Sequence, residues 1–227
     1  MKFKAVLFDL DGTLLDTLDD LADSMNASLE RFGFPTHPVN CYRYLVGDGL
    51  VNLVLRALPE QHRDEATLSR LVAAQREEYG RRWASKTHLY NGVPELLDEL
   101  KQRGLPLCIL SNKPDDFTHA VVRKFLSKWK FAAVRGESKD TPMKPDPSGV
   151  NQIALELGIS PTDFLYVGDS NTDMQTATAA KMFPVGVLWG FRTNDELIAA
   201  GAKALIEHPV DLLTILSLPA FSANALQ

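Results

Sequence analysis

The stretch Phe8-Asp9-Leu10-Asp11-Gly12-Thr13 ends the short apolar run Ala5–Phe8 with two closely spaced acids. An apolar run of this length is typical of a buried β-strand. Residues two apart on an extended chain face the same way, so Asp9 and Asp11 should both point into one pocket. Neighbouring carboxylates repel each other, and one must be protonated or both must share a cation. Gly12 permits a turn and a close approach of the backbone. By itself, the stretch also fits a strand that ends in an acidic turn.

Downstream of this stretch, short apolar runs alternate with segments of helical spacing. Further buried-strand candidates are residues 105–110, 131–134, 164–167 and 185–188. Helical spacing occurs at residues 93–103, 115–126, 147–157 and 172–180. Alternation of strands and helices predicts an α/β fold, with a doubly wound, mainly parallel, Rossmann-like sheet that carries helices on both faces.

Residues 17–83 interrupt this alternation, because they show helical spacing and no convincing strand. The helical patterns cover residues 16–31, 50–58 and 65–83. We therefore predict a small all-helical cap domain at residues 16–85, inserted after the first strand into a core formed by residues 1–15 and 86–227. Residues 221–227 are weakly specified, and we expect a frayed end there.

Three further polar motifs lie at or near predicted strand ends. Ser111 and Asn112 can hold a phosphate oxygen, although a plain turn or a helix N-cap fits them as well. Lys144, in a loop stiffened by prolines, would be a fixed charge against phosphate, although a solvent-exposed lysine is the commoner case. Asp169 and Asp173 offer the oxygen ligands that Mg²⁺ prefers, or they cap a helix. In a parallel sheet these strand ends converge on one crevice, so together the motifs predict a phosphate and metal site.

Bulk properties narrow the expected partners. The net charge of -5 and the pI of about 5.5 favour neither nucleic acid nor an anionic membrane. No stretch approaches the ~20 apolar residues of a membrane helix. Cys41 and Cys108 are far apart, which makes a disulfide framework improbable and fits a reducing compartment. We expect a cytoplasmic protein, monomeric or homodimeric, that acts on a small phosphorylated metabolite.

The four motifs and the helical insertion, in this order, resemble the haloacid dehalogenase superfamily over nearly the whole chain. The resemblance implies that Asp9 attacks phosphorus to form an aspartyl-phosphate, and that Asp11 first protonates the leaving alkoxide and then activates water. It implies a Mg²⁺ ion held by Asp9, the backbone carbonyl of Asp11 and Asp169, with Asp173 in or next to its coordination shell. The implied phosphate-binding residues are Gly12, Thr13, Ser111, Asn112 and Lys144.

Two departures from other branches of this superfamily select the reaction type. The dehalogenases carry no aspartate at the position of Asp11, because their leaving group needs no proton. The phosphonate-cleaving relatives use a lysine of the cap, and residues 16–85 contain no lysine. The resemblance therefore favours phosphate ester hydrolysis.

The run Val46-Gly47-Asp48-Gly49-Leu50 is similar to that of phosphoglycolate phosphatases, which implies 2-phosphoglycolate as substrate. Gly47 and Gly49 would expose backbone N–H groups that bind a carboxylate, with help from Arg43. Asp48 would repel a carboxylate unless it points away. A tight turn between helices accounts for both glycines equally well.

Three alternatives stay open at this point. One is a phosphatase of broad specificity for sugar phosphates, nucleoside monophosphates or pyrophosphate. Another is a phosphomutase of the β-phosphoglucomutase type, although Asp48-Gly49-Leu50-Val51 lacks the basic and hydroxyl residues expected there. The third is an inactive phosphate-sensing protein, which a missing motif residue would favour.

Overall fold

The computed structural model describes residues 3–217. Its strands are β1 (Ala5–Phe8), β2 (Leu15–Asp16), β3 (His88–Leu89), β4 (Leu107–Pro114), β5 (Ala133–Glu137), β6 (Phe164–Gly168), β7 (Phe183–Val187) and β8 (Ala204–Ile206). Six of them form one parallel sheet in the order β5-β4-β1-β6-β7-β8. The chain adds β4 and β5 on one side of β1 and β6 to β8 on the other. The strand order therefore reverses at β1, where ligands bind in open sheets of this kind.

The helices are α1 (Leu18–Arg31), α2 (Tyr42–Leu45), α3 (Gly49–Ala57), α4 (Glu65–Arg82), α5 (Val93–Gln102), α6 (Asp115–Phe125), α7 (Ser148–Leu157), α8 (Asn171–Ala179), α9 (Asn194–Ala199) and α10 (Leu212–Ser217). Alternate residues of β1 enter two different apolar clusters. Val6 and Phe8 pack with α5, whereas Ala5 and Leu7 pack with α7 and α8. Burying side chains of the size of Val6 and Leu7 stabilises the fold by roughly 1.5–3 kcal/mol each. Both faces of the sheet are covered, and the predicted α/β fold class is confirmed.

Residues 18–82, here called the helical cap, form a third apolar cluster around Met25, Leu29 and Leu71. Its longest helix, α4, begins at the N-cap Asp64, whose side chain accepts a bond from the backbone N–H of Thr67. Two arginines in the last turn of α4 complement the helix dipole. An all-helical insertion after the first strand was predicted, and the boundaries given above for the two domains stay a prediction.

The chain enters and leaves the helical cap through one short antiparallel pair, in which Leu15 of β2 faces Leu89 of β3. Next to this pair, the carboxylate of Asp20 accepts bonds from the backbone N–H groups of Lys86 and Thr87 and from the Thr87 hydroxyl, at 2.7–3.0 Å. A buried carboxylate satisfied in this way ties α1 to the returning chain.

Several element boundaries differ from the sequence predictions. β4 continues through Pro114, four residues beyond its predicted end, and β5 begins at Ala133. The short strand β8 and the β2–β3 pair were not predicted, because two or three residues are too few to show a period. In the part of the chain that the structure describes, no helix has the length and apolar character needed to cross a membrane. The expected frayed end at 221–227 lies outside the described residues.

Candidate active site

Polar residues from four chain segments meet beyond the carboxyl end of β1. Asp9 follows β1, Ser111 lies in β4, Asp169 follows β6, and Lys144 lies in the loop that precedes α7. All four side chains are buried, together with Asp173 in the first turn of α8. The structure thus brings the predicted motif residues together at the edge where a parallel sheet binds its ligands.

Lys144 lies at the centre of this group. Its Nζ donates to Asp9 Oδ1 at 2.5 Å, to Asp173 Oδ1 at 2.7 Å and to the carbonyl of Leu110 at 3.3 Å. These bonds use all three donors of the ammonium group. Burial favours the neutral amine, but the charges of Asp173 and Asp9 outweigh it and raise the pKa of Lys144 well above its usual value. Lys144 is therefore a fixed positive charge between two carboxylates.

Asn112 holds the backbone at Lys144 in place. Its Oδ1 accepts a bond from the Lys144 N–H at 2.7 Å, and its Nδ2 donates to the Lys144 carbonyl at 3.1 Å. The same Nδ2 donates to the carbonyl of Gly47 in the helical cap at 3.0 Å. The side chain of Asn112 is thus engaged with main-chain groups of the core and of the cap.

Asp9, Asp169 and Asp173 form an acidic cluster in which one ligand oxygen from each lies within 4.8 Å of the others. Burial, reinforced by the charge of Asp173, raises the pKa of Asp169 to about 7. Burial also raises the pKa of Asp9, against the lowering effect of Lys144. One lysine does not neutralise three buried carboxylates, so the cluster has the charge and the hard oxygen donors that suit a divalent cation.

Asp173 combines a place in this cluster with a structural role. Its Oδ2 accepts bonds from the backbone N–H and the hydroxyl of Ser170, at 3.0 and 2.6 Å, in a capping box that begins α8. Its Oδ1 accepts from Lys144 and from the hydroxyl of Tyr166 at 3.2 Å. Asp173 therefore caps a helix with one oxygen, while its other oxygen is bonded to Lys144 within the acidic cluster.

The backbone approaches Asp169 closely on two sides. Gly12 has a φ of +89°, and a Cβ there would lie 2.3 Å from Asp169 Oδ2. A Cβ at Gly190 would lie 2.2 Å from the Asp169 Cβ. The same carboxylate accepts bonds from the Phe191 N–H at 2.7 Å and the Thr13 hydroxyl at 3.4 Å. These contacts leave no room for a side chain at either glycine and fix the direction of the carboxylate.

Asp11 is paired with Lys113, a buried residue that was not among the predicted site residues. Lys113 Nζ lies 2.7 Å from Asp11 Oδ2 and donates to the hydroxyl of Tyr79 on α4 at 2.9 Å. The other oxygen of Asp11, Oδ1, is buried and has no hydrogen-bond partner among residues 3–217. β4 is irregular between Leu110 and Pro114, and Ser111, Asn112 and Lys113 all line one cavity. No local sequence pattern identifies Lys113, because its partner Tyr79 lies 34 residues away.

A cavity of about 80 Å³, equivalent to several water molecules, lies between the helical cap and the core. The core lines it with charged and polar groups, among them Asp9, Asp11, Ser111, Lys113 and Lys144. The cap lines it with backbone at Gly47 and Gly49 and with apolar and uncharged polar side chains such as Leu50, Leu53, Gln75 and Tyr79. Arg76 of the cap also lines it, with its guanidinium paired to Asp116. The two sides therefore offer a ligand different kinds of contact.

Arg43 and Asp48, predicted near the substrate, are not among the described residues that line this cavity. Asp48 forms an ion pair with Arg56 on α3, so its charge is turned away from the cavity. The guanidinium of Arg43 donates to the carbonyls of Gly190 and Phe191 in the core. The repulsion of a carboxylate by Asp48, noted from the sequence, is thereby avoided.

A second arginine, which belongs to the core, donates to carbonyls of the cap. Arg192, in the loop after β7, donates to the carbonyl of Arg43 and, at 3.1 Å, to the carbonyl of Val46. Its guanidinium also lies 5.2 Å from the centre of the Tyr44 ring. The core and the helical cap are thus joined by two arginines that point in opposite directions.

Residues 6–187 match the family model described as haloacid dehalogenase-like hydrolase. The chain belongs to the haloacid dehalogenase-like hydrolase family. A phosphoglycolate phosphatase of Haemophilus influenzae is 30% identical over 221 residues, which cover 95% of this chain and 99% of that protein. A phosphoglycolate phosphatase of Xanthomonas campestris is 32% identical over 214 residues, covering 93% and 96%. This haloacid dehalogenase-like hydrolase is accordingly an enzyme of the phosphatase type.

Solved structures of similar fold also include proteins assigned as phosphoglycolate phosphatases. A Lactobacillus delbrueckii subsp. bulgaricus protein assigned as a phosphoglycolate phosphatase superimposes with a TM-score of 0.89 at 28% identity, covering 95% of this chain and 99% of that one. A Bacteroides vulgatus protein assigned as a β-phosphoglucomutase gives a TM-score of 0.75 at 21% identity, covering 94% and 87%. The second likeness shows the common fold alone. The similarity of this hydrolase to the superfamily, first seen in its four motifs, is confirmed.

Proposed function

We propose that this chain is a Mg²⁺-dependent phosphatase that hydrolyses 2-phosphoglycolate to glycolate through an aspartyl-phosphate. The observation that carries the proposal is the placement of Asp9 and Asp11 on one cavity, with Asp9 bonded to Lys144 and Asp11 bonded to Lys113. A carboxylate nucleophile and a separate acid–base group are the two parts that this two-step hydrolysis needs. The names of the curated relatives support the choice of substrate.

In the first step, an oxygen of Asp9 attacks phosphorus while the bond from phosphorus to the leaving oxygen breaks. Lys144 bonds to Oδ1 of Asp9, which leaves Oδ2 for the attack. Asp11 donates a proton to the leaving alkoxide and then takes a proton from the water that hydrolyses the aspartyl-phosphate. The positive charges of Lys144 and Lys113 reduce the repulsion between the phosphate dianion and the carboxylates.

The residues that would hold Mg²⁺ are Asp9, Asp169 and the backbone carbonyl of Asp11, with Asp173 beside them. The buried oxygen donors and the raised pKa of Asp169 fit such an ion. The ion would supply positive charge that offsets the negative charge of the phosphate. The side chain of Ser111 would donate to a phosphate oxygen, and Gly12 would let the backbone approach the phosphate. Thr13, whose hydroxyl donates to Asp169, would shape the loop.

Phosphate release by the purified chain tests this proposal. We expect turnover of 2-phosphoglycolate that stops in EDTA and returns with added Mg²⁺, and a kcat/KM above those for sugar phosphates, nucleoside monophosphates and pyrophosphate. Rapid acid quenching should trap phosphate on the protein, and Asp9→Asn should abolish the trapped phosphate. Comparable rates across the panel would favour the broad-specificity alternative. No turnover of any ester by the folded chain would favour a phosphate-sensing protein.

A further inference from the structure

Lys113 retains one hydrogen-bond donor beside the cavity. An ammonium group has three donors. Two of them go to Asp11 Oδ2 at 2.7 Å and to the Tyr79 hydroxyl at 2.9 Å, and residues 3–217 supply no described partner for the third. Lys144, by contrast, uses all three donors on groups of the protein. Of the two buried lysines that line the cavity, Lys113 is therefore the one with a donor left for a ligand.

Tyr79 adds a second donor next to Lys113. Its oxygen accepts the bond from Lys113, which leaves its own proton to be donated. Burial raises the pKa of Tyr79, so the hydroxyl keeps that proton at neutral pH. The Lys113 Nζ also lies 4.8 Å from the centre of the Tyr79 ring, and this contact fixes the ring against the ammonium group.

Gln75 adds a third donor from one turn earlier on α4. Residues four apart on a helix share a face, so Gln75 and Tyr79 lie side by side on the cavity. Gln75 is 1% exposed, and its Oε1 lies 3.3 Å from the Ser28 hydroxyl, which also lies within hydrogen-bond distance of the Ser24 carbonyl at 2.9 Å. Its Nε2 is buried without a hydrogen-bond partner in the described part of the chain. An unpaired buried donor is unfavourable, and an acceptor on a ligand would relieve it.

We propose that Lys113, Tyr79 and Gln75 form a subsite for a carboxylate on the leaving group of the substrate. This inference rests on the proposed function, which places the phosphate at Asp9 and the leaving oxygen at Asp11. In 2-phosphoglycolate a single carbon separates the leaving oxygen from the carboxylate. Because Lys113 touches Asp11 directly, a group so close to the leaving oxygen reaches Lys113 and its neighbours on α4.

The charges around this subsite suit a single carboxylate. Lys113 carries a single positive charge, so a small monoanion is favoured there over a second phosphate dianion. Tyr79 and Gln75 complete the coordination as neutral donors. Arg76 also lines the cavity, but its charge is paired with that of Asp116. The nearest acidic residue of the cap loop, Asp48, is turned toward Arg56 and does not oppose a carboxylate.

The test compares two esters that differ only in this group. The kcat/KM for 2-phosphoglycolate is divided by that for 2-hydroxyethyl phosphate, in which a neutral hydroxymethyl group replaces the carboxylate. Gln75→Glu keeps the side-chain size and an acceptor for Ser28 but replaces the free amide with a carboxylate oxygen. We expect this ratio to fall on the order of 10- to 100-fold in Gln75→Glu. In Tyr79→Phe we expect a smaller, several-fold fall.

Gln61→Glu is the matched control, because it adds the same charge to the cap at an exposed turn. The ratio should stay within about twofold of the unchanged chain in this control. Equal losses on both esters in Gln75→Glu, or an unchanged ratio, would overturn the subsite. A wild-type chain that treats both esters alike would also overturn it. If Gln75→Glu fails to fold, Gln75→Met and Tyr79→Phe give the same comparison.

Glycolate binding separates failure of the subsite from failure of the proposed function. Failure of the proposed function is the absence of Mg²⁺-dependent phosphate release from every ester by the folded chain. Glycolate itself should still bind the wild-type chain in calorimetry, and its dissociation constant should rise at least tenfold in Gln75→Glu. If glycolate does not bind, or binds both chains equally, the subsite is refuted whatever the activity.

Discussion

The core and the helical cap contribute to the cavity in different ways. On the core side, Lys144 and Asp173 have every strong donor or acceptor engaged within a buried, charged network. On the cap side, the contacts come from glycine backbone, apolar side chains, the uncharged Gln75 and Tyr79, and Arg76, whose guanidinium is paired with Asp116. A charged network whose hydrogen bonds are all made favours one fixed reaction. Neutral side chains with hydrogen-bonding groups still free favour selection among ligands. Core substitutions should therefore reduce turnover of every ester, and cap substitutions should reduce turnover of some esters only.

The largest expected loss of turnover is that of Asp9→Asn, on the core side. The substitution removes the attacking carboxylate and keeps its shape, so turnover of all esters should fall by a factor on the order of 10⁴ or more. Circular dichroism should stay unchanged, and the exposed Asp140→Asn should retain activity as the control. Retention of substantial activity on any ester by Asp9→Asn would remove Asp9 as the nucleophile.

Replacing each buried lysine by methionine compares a lysine bound only to the core with one that also reaches the cap. Lys144→Met leaves Asp9 and Asp173 without their shared partner, and the free energy of unfolding should fall by about 3–5 kcal/mol. Lys113→Met leaves only one carboxylate, that of Asp11, without its partner, and should lower the free energy of unfolding by less. Urea unfolding in EDTA measures both values. A larger loss in Lys113→Met would show that the network of Lys144 is not the main support of the site.

The acidic cluster of the core should give metal binding a distinct pH dependence. The folded-state pKa of Asp169, about 7, lies above its unfolded value near 3.8. The metal-free protein therefore binds more protons when folded than when unfolded, and its free energy of unfolding falls as the pH rises from about 4 to about 7. At low pH a proton competes with Mg²⁺ for this carboxylate. Added Mg²⁺ should thus raise the melting temperature more at pH 8 than at pH 5.5.

Asp169→Asn provides the control for this pH effect, since an amide does not titrate. The Mg²⁺-induced rise in melting temperature should differ less between pH 8 and pH 5.5 in Asp169→Asn than in the wild-type chain. An equal shift at both pH values in the wild-type chain would mean that Asp169 does not take part in metal binding.

The smallest expected effect is on the cap side, at Gly47. Its φ of +117° disfavours any side chain, and a Cβ would lie 3.6 Å from Arg192 Nη2. Gly47→Ala should lower kcat/KM for 2-phosphoglycolate several-fold and that for p-nitrophenyl phosphate much less. Gly33→Ala is the control, because Gly33 also has a positive φ, +74°, in the cap but has no atoms within 4 Å of an added Cβ. Equal losses on both esters in Gly47→Ala would mean that this turn is structural only.

The convergence of the core motifs followed from the sequence because most of the motif residues come at or just after a short apolar strand. Lys113 escaped the prediction for a physical reason. β4 continues past its apolar run into polar residues, and the side chain of Lys113 there is bonded to Tyr79 of the cap. A bond to a partner 34 residues away leaves no local pattern.

The directions of the cap side chains were equally beyond the sequence. Whether Asp48 faces the cavity is decided by Arg56, and the position of Arg43 is decided by carbonyls of the loop after β7. A motif indicates which residue types occur in a loop, but the orientation of a long or charged side chain depends on partners brought by the fold. The metal, phosphate and cap roles assigned to individual residues therefore stay predictions until the variants above are measured.

The paired arginines between core and cap bear on how the cap can evolve. Arg43 and Arg192 both bond to main-chain carbonyls on the opposite side. A carbonyl is present whatever side chain a residue carries, so a mutation at Val46 or Phe191 changes the cavity wall without deleting the acceptor. Substitutions that alter ligand choice can then accumulate while the cap keeps its attachment. These two guanidinium groups therefore attach the cap through acceptors that do not depend on the side chain at either position.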